Sequence, residues 1–470
     1  MAGVRLQSYN YIIMESTYMN VTTLLSFFII IFATTLSNSK SIVKNLPGFP
    51  GDLPFTLETG YVGVGGEDEI QFFYYFVESQ RDPANDPLLL YLTGGPGTSG
   101  LFPFLYQIGP LSIRLDTNGW KNITLELNPN SWTEAANIIF LDLPAGVGFS
   151  YATTWEGWRS SDSILTLQTY EFLLKWFVEH PSFLKNPLYI SGISYMGLLV
   201  PPITLHVYEG NENGRQPQLN IKGYLLISPF TDRFIDANVR VEYAHRLALI
   251  SDDIYESAKE TCHDNYIYPD QDNNLCLYNL QRFDECVNDI NFSNILDPPC
   301  DDTNPSPDCT AATVITLDAW ANEKEVQEAL HVREGTIGVW EKTNETIHYN
   351  FGKNDTICYS YDVFSTVDDH KQLVTRNCKV LVISGDHDMI IPYVGTEEWI
   401  KSLNVPIERP WNPWFVDNQV AGYRTTYGTT GYSLVYATVK GAGHAVSLYK
   451  PKEAFDLFNR WLASRTYLAY

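Results

Sequence analysis

Basic residues are scarce in this chain of 470 residues: 31 Lys and Arg stand against 55 Asp and Glu, for a formal net charge of −24. That balance excludes nucleic acid and anionic membrane surfaces as partners held by bulk charge. Long apolar runs are scarce too. The one candidate, Leu24–Ala33, is shorter than the ~20 residues a spanning helix needs. With mostly small or polar residues from Thr34 to Ser39 behind it, it reads as a cleaved secretory signal over residues 1–39. No membrane anchor is then expected after cleavage. Internal repeats and low-complexity tracts are absent, which rules out solenoids and disordered tails. Gly146-Val147-Gly148 lacks the third glycine and the downstream acid of a dinucleotide fingerprint. Asp386-His387-Asp388 has no further ligand cluster around it, so neither metal nor cofactor is expected.

What remains is a well-stocked core. Hydrophobic residues make up 44% of the chain and aromatic ones 14%. The seven cysteines are an odd number, and five of them fall between Cys262 and Cys309 in a polar, turn-rich stretch. Such clustering favours disulfides over metal binding, with at least one thiol left over in a monomer. Asn122, Asn291, Asn344 and Asn354 each open an N-x-S/T triplet, the acceptor pattern for N-glycosylation in the secretory pathway.

Short apolar runs bounded by turn residues recur along the chain. Ile70–Val77, Pro87–Leu92, Asn137–Asp142, Ile221–Ile227, Lys379–Ser384 and Tyr432–Lys440 read as strands, most of them buried on both faces. Ser161–His180 has helical spacing, with Leu165, Leu167, Phe172, Leu173, Trp176 and Phe177 as its expected core stripe. Pro451–Leu462 reads as a closing helix. From about Asp232 to His370 the strand rhythm stops. The expected organisation is a hydrolase-type core over 40–231 and 371–470, interrupted by a helical, cysteine-containing cap over 232–370.

The chemistry centres on Gly192-Ile193-Ser194-Tyr195-Met196-Gly197. A strand-like run leads into a serine flanked by glycines, as a strand-to-helix elbow requires, though one residue longer than the usual G-x-S-x-G. Asp386 and Asp388 follow the strand near residue 383, and His444 follows the last strand. Serine, then aspartate, then histidine, each past the end of a buried strand, is the chain order of the α/β-hydrolase triad. The residues alone leave Asp386 and Asp388 both open as the acid. Thr93-Gly94-Gly95-Pro96-Gly97, after another strand, is a tight loop whose N–H groups can face an oxyanion.

Together with Leu53–Tyr61, Phe140-Leu141-Asp142, Ala248–Asp252, Ser384–Met389 and Lys440–His444, these motifs resemble the plant serine carboxypeptidase-like proteins, over roughly Leu46 to Leu462. The resemblance implies an α/β-hydrolase fold with a mostly parallel central sheet. It selects Asp388 as the acid, and Gly95 and Tyr195 as the oxyanion donors through their N–H groups. It also implies a Cys262–Cys276 disulfide and a substrate wall formed by Tyr91, Thr93, Gly94 and Ile193. Peptidases of the family carry Asn where Thr93 stands and Glu before the serine, a pair that binds a peptide carboxylate. The acyltransferase-like branch carries Thr and usually Asp. Here the pair is Thr93 and Ile193, so the chain resembles the acyltransferase branch more closely. An acyl donor such as a glucose ester and an alcohol or amine acceptor are the implied partners; a carboxypeptidase or esterase, and a family member without catalysis, are the competing readings. Ile193 points to a weakly polar acceptor rather than an acid. Met196 stands where the family has a small residue, which puts strain on the elbow. Thr98 and Thr343 stand where the family has a disulfide, as if both ends of that bridge were lost together. The secretory pathway, ending in the vacuole or outside the cell, is the expected location.

Overall fold

Six parallel strands of the chain end on one sheet edge, and that edge carries Ser194, Asp388 and His444. The computed structural model describes residues 40–114, 123–300, 310–344 and 358–463. The signal segment, Asn122, Asn354 and Cys309 lie outside the described residues. Residues Ile42–Tyr470 form one compact unit.

Ten of the sheet's twelve strands are β1 (Leu57–Val64), β2 (Ile70–Val77), β3 (Leu88–Leu92), β4 (Asn137–Leu141), β5 (Leu188–Ile193), β6 (Ile221–Ile227), β7 (Cys378–Gly385), β8 (Ile407–Val416), β9 (Gln419–Thr429) and β10 (Tyr432–Val439); the short strands Lys40–Val43 and Tyr151–Ala152 complete it. Its spatial order runs β1-β2-β4-β3-β5-β6-β7-β10-β9-β8. From β4 to β10 the neighbours are parallel. Antiparallel pairs close both sides of this parallel centre. β3 is buried at every position, as its unbroken apolar sequence requires. Leu89 and Tyr91 pack into the core on one face, and Leu88, Leu90 and Leu92 into the core on the other.

Helix α1 (Asp162–Glu179) starts at Ser161, whose side chain accepts from the Ile164 N–H. It covers the second face with Leu165, Phe172, Leu173, Trp176 and Phe177. Leu167 departs from the expected stripe: it is 55% exposed, and Leu174 is buried in its place. Two residues beyond Leu165, it lies about 200° round the helix and faces away from the sheet. Helix α2 (Val200–Glu212) follows the serine turn, α3 (Arg240–Arg246) lies beyond β6, and α4 (Pro451–Ala463) ends the described chain. Phe458 of α4 stacks on Trp132 with ring centroids 4.1 Å apart. The outer hairpin of β8 and β9 was not foreseen. β8 is exposed at most positions and carries Pro410 and Pro413, so it lacks the alternation that reveals a strand.

Candidate active site

β5 lies between β3 and β6, parallel to both, and its register places Ile193 opposite Ile227. The next residue, Ser194, has φ +62°, a left-handed conformation that costs a non-glycine residue energy and is kept where neighbours enforce it. A 3-10 turn, Ser194–Leu198, then leads into α2. The glycines around it are needed for space. A Cβ on Gly192 would sit 2.4 Å from the Met196 Cβ. One on Gly197 would sit 2.5 Å from the Phe230 carbonyl oxygen, and one on Gly94 would sit 2.6 Å from the Ser194 Cβ. Met196 itself is fully buried against the side where Gly192 has no side chain. Its bulk is therefore absorbed by packing, and the elbow keeps its form.

The two aspartates after β7 divide the work. Asp388 is fully buried, and its Oδ2 lies 2.8 Å from His444 Nδ1. Its Oδ1 accepts the N–H groups of Ile390 and Ile391 at 2.9 and 3.0 Å. Asp386 turns the other way, accepting from Gly441 N–H at 2.7 Å and meeting His387 Nδ1 at 2.5 Å. The hydrogen bond thus singles out Asp388 as the partner of His444. Segment 292–295 laces the two loops together. The Phe292 carbonyl accepts from Met389 N–H, the Ser293 carbonyl accepts from His444 N–H at 2.6 Å, and Ile295 N–H donates to the His387 carbonyl. Gly443 is a glycine because a Cβ there would lie 2.1 Å from the Ser293 oxygen.

Ser194 and His444 line one cavity of about 250 Å³, whose walls include Thr93, Gly94, Gly95 and Ile193. Thr93 Oγ1 is buried and, among the described residues, has no hydrogen-bond partner. Tyr91 does not reach the cavity. It is fully buried, and its hydroxyl donates to Gln107 Oε1 at 3.1 Å. The residue in contact with the cavity is Gln107, which the sequence reading passed over because no motif surrounds it. Lys342 was also missed and also lines the cavity. Burial pushes its ammonium pKa down, against a smaller opposing pull from Asp318, and the Nζ lies 4.5 Å from the centre of the Phe102 ring. Lys342 thus adds a basic side chain to the wall that Ile193 makes more apolar. The signal for it was its neighbour: Thr343 was already paired with Thr98 of the glycine loop.

That pairing holds in space. The two threonine hydroxyls are 2.9 Å apart, Ser99 N–H donates to the Lys342 carbonyl at 2.9 Å, and Asn344 N–H donates to the Gly97 carbonyl at 3.0 Å. Behind the loop, buried Asp142 accepts from Ser99 Oγ at 2.6 Å, Gly100 N–H at 2.8 Å and Phe149 N–H at 2.9 Å. Behind the elbow, Tyr195 points its ring away from the cavity and donates from its hydroxyl to Asp162 Oδ1 at 2.6 Å. Asp162, at the first position of α1, also accepts from Tyr359 (2.8 Å), Val363 N–H (3.0 Å) and Arg233 (3.3 Å). Both supports are buried carboxylates with their lone pairs in use, which is what keeps them tolerable in the core.

Cys262 and Cys276 form the expected disulfide. Cys300 is disulfide-bonded as well, whereas Cys286 is an exposed free thiol and Cys378 a buried one. Asn291 is half-buried, with its amide on the Pro298 carbonyl at 3.3 Å. Asn344 donates its amide to the Gly146 carbonyl at 2.6 Å from a half-buried position. Asn344 thus also ties its segment to the loop after β4.

Burial also sets how stability depends on pH. Desolvation outweighs the hydrogen bonds at Asp142 and raises its pKa to about 6. Asp236, which accepts from Thr231 and Asp232 N–H and leaves Oδ1 unpaired, is raised by the same cause to about 7. A carboxyl whose folded-state pKa lies above its unfolded value binds its proton more tightly when folded. Its support for the fold is complete below the ordinary carboxylate range and is lost as pH rises through about 6 for Asp142 and about 7 for Asp236. Thermal unfolding should therefore show a Tm higher at pH 5 than at pH 7.5 by at least about 3 °C. Asp236→Asn should flatten the upper half of that slope; an unchanged slope would show that Asp236 does not carry it.

A family profile described as serine carboxypeptidase matches residues 47–464. Serine carboxypeptidase-like 16 of Arabidopsis thaliana is 44% identical over 437 residues, covering 93% of this chain and 97% of the relative. Serine carboxypeptidase-like 7 of the same plant is 41% identical, covering 94% and 98%. Among solved structures, a prohormone-processing carboxypeptidase from Saccharomyces cerevisiae superposes with a TM-score of 0.71 at 17% identity, covering 90% of this chain and 95% of that one. At that identity the likeness speaks for the fold.

Proposed function

The chain belongs to the serine carboxypeptidase family, and from that premise we propose that it is a serine acyltransferase, moving an acyl group from an activated ester such as a glucose ester to an alcohol or amine. The observation that carries this reading is one cavity that brings together Ser194 and His444, the latter hydrogen-bonded to Asp388, with Thr93 and Ile193, a wall that has neither the amide nor the acid of the peptidase pair. In the first half-reaction His444 Nε2 takes the Ser194 proton as Oγ attacks the ester carbonyl. The N–H groups of Gly95 and Tyr195 receive the charge on the carbonyl oxygen. Collapse breaks the ester bond, and the sugar leaves with the proton from His444. In the second half, an acceptor gives its proton to His444, attacks the acyl carbon and releases Ser194. Asp388 holds the imidazole with Nδ1–H toward itself throughout. Water at about 55 M competes for the acyl-enzyme, so the acceptor must be held in place; well-oriented groups reach effective molarities of ~10⁵ M or more. Gln107 and Lys342 are among the polar side chains lining the cavity that can hold it. Among the described residues no helix is long and apolar enough to cross a membrane; we place the mature chain in the secretory pathway, in the vacuole or outside the cell.

Lys342 favours a second reading, hydrolysis of a peptide, because its ammonium can pair with a terminal carboxylate that Thr93 and Ile193 leave unserved. A partition experiment separates the two. The protein is given a glucose ester of an aromatic acid with a pool of plant alcohols, and in a parallel arm N-blocked dipeptides. New ester in excess of free acid, lost in Ser194→Ala, is the expected result. Efficient Ser194-dependent release of C-terminal residues would make it a peptidase instead.

A further inference from the structure

The triad acid is held from one side by its own loop and from the other by a helix that belongs to no catalytic motif. Arg240, the first residue of α3, donates from Nη2 to the Ile390 carbonyl at 2.8 Å and from Nε to the same oxygen at 3.3 Å. The N–H of that same Ile390 is one of the two donors on Asp388 Oδ1. One turn later, Tyr243 donates from its hydroxyl to the Asp386 carbonyl at 3.1 Å. Arg240 and Tyr243 are spaced i, i+3, so they share a helix face. They grip the chain two residues after and two residues before Asp388.

Arg240 is an expensive residue for this task. It is largely buried, burial disfavours its charge, and its charge is offset at longer range by Asp388 and Asp236 rather than by an ion pair among the described residues. A neutral donor could hold a carbonyl with less desolvation. What the guanidinium adds is a fixed positive charge facing a fully buried aspartate.

We propose that Arg240 is a positioning residue for the triad acid, fixing the Gly385–Ile391 loop through the Ile390 carbonyl, with Tyr243 bracing the other side of the loop. The inference rests on the reading of Ser194 as the nucleophile. It goes beyond that reading because it makes the start of the segment between β6 and β7 a determinant of reactivity, at a distance from the cavity wall. Neither residue touches substrate, so both should act on rate and leave binding alone.

The test uses the full chain and a fluorophosphonate ester, which phosphonylates an activated serine with loss of fluoride, and so needs no knowledge of the natural substrate. Labelling is followed by intact mass, with the modified peptide mapped to Ser194, in wild type, Arg240→Met, Arg240→Lys and Tyr243→Phe. Small displacements of catalytic groups cost up to ~10²-fold in rate, so Arg240→Met should lower the limiting labelling rate at least ~30-fold with half-saturation within about twofold of wild type. Arg240→Lys, which keeps the charge and one donor, should return to within about fivefold, and Tyr243→Phe should fall by about three- to tenfold. Arg240→Met reacting within about threefold of wild type, or Arg240→Lys as slow as Arg240→Met, overturns the proposal. If Arg240→Met fails to give native near-ultraviolet dichroism, the lysine and phenylalanine variants decide, and wild-type rates in both overturn it. A wild type that does not label at Ser194 is a different failure: it removes the nucleophile and this inference with it.

Discussion

Ser194→Ala should lower turnover of any acyl donor by at least about 10⁴-fold while leaving Tm within about 2 °C of wild type. The two halves of this expectation come from different facts. In the proposed mechanism the hydroxyl is the atom that forms the acyl bond, and the other cavity hydroxyls are differently engaged: Thr98 pairs with Thr343, Ser293 with Tyr449, and Thr93 Oγ1 is buried. Its contribution to the fold is small: the elbow is shaped by Gly94, Gly192 and Gly197 and by buried Met196, all of which the alanine leaves in place. Alanine at φ +62° bears the same backbone cost as serine. The check is steady-state turnover alongside calorimetry on the same preparation. Near-normal turnover in a well-folded variant would remove the triad.

Asp162→Ala should have the largest effect on stability, a loss of about 3–5 kcal/mol in urea unfolding. The carboxylate is wholly buried and takes four donors, from Tyr195, Tyr359, Val363 and Arg233. Removing it leaves a guanidinium without its ion pair and two buried phenols without their acceptor, the situation in which buried polar networks are most costly to break. Asp162→Asn keeps an acceptor and should lose clearly less. The damage should also reach the chemistry, since Tyr195 is the residue whose N–H is assigned to the oxyanion. A loss under about 1 kcal/mol would mean that water refills the network.

Sequence alone made the parallel centre of the sheet readable, because strands buried on both faces have unbroken apolar sequence, as in Leu88–Leu92 and Asn137–Leu141. It made Ser194 and His444 readable because each sits where such a strand stops. Asp388 could not be told from Asp386 by that logic, since both follow β7 within three residues; a hydrogen bond of 2.8 Å decides it. Tyr91 and Gln107 exchanged places for a related reason. Strand position says which face a side chain takes, but not whether another side chain stands between it and the cavity. Lys342 and Arg240 come from long stretches without strand rhythm, and what brings them to the site is backbone hydrogen bonding that leaves no pattern of residue types.

The hydroxyl contact between Thr98 and Thr343 has a consequence for the conditions the protein can work in. Among the described residues, the glycine loop is tied to segment 342–344 by hydrogen bonds: this contact, Ser99 to Lys342, and Asn344 to Gly97. None of these can be cut by a thiol or formed by an oxidant. The disulfide between Cys262 and Cys276 lies in the segment between β6 and β7, away from the residues that line the cavity. This joint between the glycine loop and segment 342–344 is thus indifferent to redox potential.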